Sequence, residues 1–184
     1  TKPGASDGET EFVVNLVAEG TDTLTITNEY TAATLPLDPT TDPSTGETTP
    51  KIVKELRVTG NDETAADMTF NVSVKDKDGK EVATGSAEIK KGAKDKATAN
   101  FTRLGTLVFT KKGTYTYEVT ESEANIAGVT CDKKTYTLTV EVGESNHVLS
   151  VSSARYSYEN KEGTKVDSAL PITITNTYTK PTYA

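Results

Sequence analysis

The chain has 184 residues, enough for one good domain with an extension and marginal for two. Its formal net charge is −7, with the acidic residues spread out, which argues against a nucleic-acid binder that would need a basic stripe. One cysteine, Cys131, excludes an intrachain disulfide, and no apolar run approaches the roughly 18 residues of a membrane-spanning helix.

Thr, Val, Tyr and Ser are prominent and Trp is absent, a composition that favours strands over helices. No signal peptide opens the chain, and its abrupt ends read as those of a fragment of a longer protein. Residues 1–34 read as an N-terminal β segment. Within it, 24–30 (LTITNEY) is echoed 148 residues later by 172–178 (ITITNTY). The echo suggests that this segment closes a preceding, similar module, with Asn28 as that module's counterpart of Asn176. The alternative is that the segment adds strands to the main domain, because an orphan strand pair is poorly ordered by itself.

Residues 35–50 (LPLDPTTDPSTGETTP) hold four of the seven prolines and read as an extended linker or long loop. The body at 51–180 then shows successive strand patterns separated by turns. Residues 51–58 alternate; Met68, Phe70, Val72 and Val74 share a face; and DKDGK at 76–80 is a hairpin-type turn. Ala97, Ala99 and Phe101 alternate, followed by Leu107 and Phe109, and then by strands at 114–121, 135–142, 148–158 and 171–179. No stretch carries a 3.6-residue apolar period, so the expected fold class is an all-β, immunoglobulin-like sandwich. Residues 181–184 form a tail toward a next module.

Three strands place one polar residue in an otherwise apolar stripe, since residues two apart share a strand face. In KIVKELRV, Lys54 keeps register with Ile52, Leu56 and Val58. In TYTYEVTE, Glu121 continues Tyr115, Tyr117 and Val119. In ITITNTY, Asn176 sits with Ile172, Ile174 and Tyr178. Each alone has an ordinary reading: a snorkelling lysine, an exposed strand-end glutamate, a hydrogen-bonded asparagine. Together they form a reactive set, because unpaired buried charges are costly and such groups should meet. Burial lowers a lysine pKa and raises that of a carboxylic acid. A neutral amine is a nucleophile, and a protonated carboxyl can hydrogen-bond the amide oxygen, polarise it and shuttle protons. The product would be a Lys54–Asn176 amide formed once per chain with loss of ammonia, which is self-maturation rather than turnover.

These segments resemble the Gram-positive pilin isopeptide-linkage domains, the T-antigen-type major pilins of Streptococcus pyogenes among them. The resemblance covers about 51–180. A V-x-K-x-L donor segment corresponds to Val53-Lys54-Glu55-Leu56, with one residue fewer before the lysine. FTKKGTYTYEVTE at 109–121, GVTCDKKTYTL at 128–138 and ITITNTY at 172–178 carry the rest. The resemblance implies a CnaB-type, reverse immunoglobulin sandwich, with Lys54 as bond donor, Asn176 as acceptor and Glu121 as catalytic acid. Lys51 is a weaker donor candidate, being on the other face by parity. Cys131 stands where the family often has Tyr, a departure expected not to touch the bond chemistry. The family's polymerisation lysine motif and LPxTG sorting signal are not seen in this chain.

Other chemistry has less support. A Cys–Gln thioester is excluded because the chain contains no glutamine. Cys131 reads as a small strand-end hydrophobe. The single histidine, His147, follows Glu-Ser-Asn in a turn and reads as an exposed loop residue. No Cys/His metal spacing exists, and Asp38, Asp42 and Glu47 lack the dense spacing of a calcium loop. No cofactor or metal is expected. The expected role is therefore a structural stalk or backbone module of a bacterial adhesin or pilus, extracellular and joined to neighbouring modules. The alternative is an adhesin module binding a host protein or glycan, for which exposed aromatics in a groove would be the sign.

Overall fold

The structure is a computed structural model and describes residues 29–182. Asn28 lies outside the described residues. Fourteen strands and no helix occur among them: β1 (Ala33–Pro36), β2 (Thr40–Thr41), β3 (Thr48–Thr49), β4 (Ile52–Val58), β5 (Met68–Asp76), β6 (Glu81–Ile89), β7 (Lys96–Asn100), β8 (Thr106–Phe109), β9 (Gly113–Glu121), β10 (Val129–Thr130), β11 (Tyr136–Ser145), β12 (Val148–Glu159), β13 (Lys165–Ser168) and β14 (Ile172–Tyr178).

Two sheets make the sandwich. The larger runs β13-β12-β11-β9-β5-β6 and the smaller runs β10-β14-β4-β7. The core follows from alternation. Along β11, Tyr136, Leu138, Val140 and Val142 are buried and the residues between them are half-exposed. Ile52, Leu56 and Val58 of β4 and Ile172, Ile174 and Tyr178 of β14 supply the smaller sheet's inner face. The turn expected at 76–80 closes the β5–β6 hairpin: Asp76 N–H donates to Lys80 C=O at 2.9 Å, and Gly79 has φ 77°, a value glycine accepts without strain.

One pairing organises the molecule. The strands β4 and β14, first and last of the body, are hydrogen-bonded side by side and parallel, with Ile52 opposite Ile172 and Val58 opposite Tyr178. Every other strand pairing among the sheets is antiparallel.

The segment expected to be a linker at 35–50 differs at its start. Leu35 and Pro36 belong to β1, which pairs with β8, and Leu37 is buried in the core. The Asp38 carboxylate accepts the N–H groups of Leu104 at 2.8 Å and Gly105 at 2.9 Å. Prolines keep this stretch extended, and an extended chain with one apolar residue can still fill a gap at a sandwich edge. Thr31 also bridges Val148, and Tyr30 lies against the His147 ring at 5.3 Å between centroids. His147 is accordingly half-buried rather than the exposed loop residue its sequence context suggests.

Candidate functional site

Lys54, Glu121 and Asn176 meet between the two sheets. Strand parity turns Lys54 and Asn176 inward from the smaller sheet, and both are fully buried. Glu121 ends β9 in the facing sheet, opposite Val72 of β5, and its side chain is 2% exposed. Its carboxylate bridges the pair: Lys54 Nζ donates to Oε2 at 2.5 Å, and Asn176 Nδ2 donates to Oε1 at 2.5 Å. The Lys54 amine also lies 4.5 Å from the centroid of the buried Phe70 ring. Burial holds the Lys54 amine below its ordinary pKa of 10.5, and the hydrogen bond and charge of Glu121 pull the other way.

The remaining carboxamide atoms of Asn176 are held by a loop that sequence patterning did not bring to the site. β10 pairs with β14 in antiparallel register, Val129 opposite Tyr178 and Thr130 opposite Thr177. One more step along that register sets Cys131 and Asp132 beside Asn176. Asp132 N–H donates to Asn176 Oδ1 at 3.0 Å, and Asn176 Nδ2 lies 3.7 Å from Cys131 Sγ. Glu121 therefore stands at the amide nitrogen. The expected contact to the amide oxygen is made instead by a main-chain donor, which already occupies that position. Cys131, expected to be a bystander, touches the amide. A backbone N–H carries no residue signature, so only the β10–β14 register could have pointed to it.

Lys51 meets β14 through its main chain, where its carbonyl accepts Ile172 N–H at 3.1 Å. Among the described residues, no group of three or more His, Cys, Asp and Glu side chains could hold a metal ion. Asp42 is engaged by Ser44, whose N–H and Oγ both donate to its Oδ1.

A buried amine and a carboxamide bridged by one carboxyl form a set that can make an amide. The amine is the nucleophile, the carboxamide carbon is the electrophile, and the carboxyl contacts both nitrogens that must exchange protons.

Comparison with known proteins agrees in fold and family. The family model for the Spy0128-like isopeptide containing domain (FctA) matches residues 50–179. The T-13 major pilin of Streptococcus pyogenes superposes with a TM-score of 0.54 at 21% identity, over 80% of this chain and 55% of that chain. A second Streptococcus pyogenes major pilin structure is 19% identical with a TM-score of 0.41, over 83% of this chain and 51% of that chain. The chain thus spans about half the length of the solved pilins it matches. No curated protein matches it.

Proposed function

The chain belongs to the family of Spy0128-like isopeptide containing domains, and on that premise we propose that it is a backbone module of a bacterial surface pilus or stalk, locked by an amide between Lys54 and Asn176. The single observation behind this reading is the Glu121 carboxylate, which is hydrogen-bonded at once to the Lys54 amine and the Asn176 amide nitrogen in a buried site.

The chemistry runs once per chain. A proton passes from the Lys54 ammonium to Glu121, leaving a neutral amine and a neutral acid. The amine attacks Cγ of Asn176 and forms a tetrahedral intermediate. Glu121 gives its proton to the departing nitrogen and takes one from the attacking nitrogen. The intermediate then collapses to the new amide and releases ammonia, and the acid is restored. Low dielectric helps, because it disfavours the ammonium that would otherwise resist attack.

The fold gives the bond a mechanical meaning. Parallel neighbouring strands that begin and end the body are loaded in shear when the chain is pulled from its two ends. A bond between Lys54 and Asn176 would carry that load directly and spare the sheets on either side. Extracellular placement and contact with neighbouring modules of the same assembly follow from this role.

The test is the intact mass of the purified chain and of Lys54→Ala, Glu121→Ala and Asn176→Ala variants. A wild type lighter than its sequence by one ammonia, with each variant at full mass, supports the reading. Full mass in the wild type sinks it.

A further inference from the structure

The amide that must be attacked is gripped on both of its edges. Nδ2 has two hydrogens: one points to Glu121 Oε1 and the other side of the nitrogen meets Cys131 Sγ. Oδ1 faces the Asp132 N–H at 3.0 Å. A backbone N–H can only donate, so the carboxamide atom facing it is the oxygen, which fixes the orientation of the group independently of Glu121. Asn176 is fully buried, so bulk solvent does not reach that oxygen.

We propose that the main-chain N–H of Asp132 is the oxyanion donor of the bond-forming step. This inference deepens the isopeptide reading and rests on it. When the Lys54 amine adds to Cγ, the C=O bond opens and negative charge collects on Oδ1. The Asp132 N–H lies 3.0 Å from Oδ1 of the unreacted amide, the atom on which that charge collects, and an oxyanion donor must stay within 2.7–3.1 Å of it as the charge develops. Glu121 is occupied with the two nitrogens and is not free to serve the oxygen as well. The Asp132 side chain is turned away: its Oδ1 accepts Lys134 N–H at 3.3 Å and its Oδ2 pairs with Lys134 Nζ at 3.2 Å. The side chain thus shapes the loop, and the backbone meets the reacting atom. Pairing of β10 with β14 holds the donor in place.

The test replaces only that N–H. The full chain is made by cell-free translation with the α-hydroxy analogue of aspartate at 132, so that an ester oxygen stands where the N–H was. Ammonia loss is then followed over time by intact mass, beside wild type made the same way. The expected result is bond formation slowed about 10²–10³-fold, the usual cost of one oxyanion donor. An ester chain that matures at the wild-type rate overturns the inference and leaves the isopeptide reading intact. Wild type that loses no ammonia overturns both. A second measurement does not depend on the ester chain folding. In Glu121→Gln, which arrests the reaction before the bond, the Asp132 amide hydrogen should exchange slowly, and adding Asn176→Ala should speed its exchange at least tenfold. Equal exchange in the two chains shows that the donor does not engage Asn176, and the inference falls.

Discussion

Lys54 and Asn176 lie on neighbouring parallel strands two residues out of register: Lys54 stands opposite Ile174, and Asn176 stands opposite Leu56. At roughly 3.3 Å per residue the offset is about 6–7 Å. A lysine stem is long enough to span it, and Glu121 meets both ends from the other sheet. A diagonal placement of this kind suits the long lysine side chain as the proposed donor better than a residue directly opposite Asn176.

Removing the acid should leave a folded but open chain. Glu121→Gln is expected to keep the ammonia and to melt about 10–20 °C lower than wild type. The loop that the proposed Lys54–Asn176 bond would close exceeds 100 residues. Chain entropy alone then gives about 4–5 kcal/mol, and each kcal/mol is worth about 2–4 °C in a domain of this size. Calorimetry alongside intact mass checks this. A Gln variant that melts with wild type while still uncrosslinked would show that the bond contributes no stability.

The N-terminal segment should matter to the stability of the body. Leu37 is 1% exposed and Asp38 accepts two main-chain N–H groups. Leu37→Ala is expected to cost about 2–5 kcal/mol, and Asp38→Ala about 1–3 kcal/mol. Urea midpoints measure both. Changes within about 0.5 kcal/mol would return residues 35–38 to the status of a solvated linker.

Gly128 should control the loop that carries Cys131 and Asp132. Its φ is +83°, and a Cβ there would lie 2.2 Å from Thr179 C=O and 3.0 Å from the Tyr178 ring. Gly128 C=O also accepts Thr179 N–H at 2.9 Å, which seats the loop on the end of β14. Gly128→Ala is expected to cost at least about 2 kcal/mol from backbone strain and steric overlap together, and to slow ammonia loss. A variant as stable as wild type would mean that the turn relaxes freely.

Alkaline pH should weaken the fold through its buried tyrosines. Burial pushes the Tyr156 hydroxyl up to about 12 and raises those of Tyr117 and Tyr136 as well. The folded state then keeps a proton that the unfolded chain gives up near pH 10. That contribution is complete below pH 10 and is lost as pH rises through about 12, a change of about 3 kcal/mol for Tyr156. Denaturant melts at pH 9 and 11.5 should show the loss in wild type and a smaller loss in Tyr156→Phe. An equal loss in both chains would place the titrating group elsewhere.

The period-two alternation of apolar residues determined, from sequence alone, that the chain is all-β and that Lys54, Glu121 and Asn176 sit in buried stripes. Those are local properties: a strand's inner face is written in every second residue. The alternation could not say which strands become neighbours. Tertiary structure decided that β4 and β14 run side by side and parallel, that Glu121 crosses from the opposite sheet, and that the offset pair shares one carboxylate. It also decided the place of Leu37, a lone apolar residue among prolines that finds the core only when β1 docks on β8. Least legible of all was the Asp132 N–H, since every residue but proline carries that group, and only the fold chooses which one faces Asn176 Oδ1.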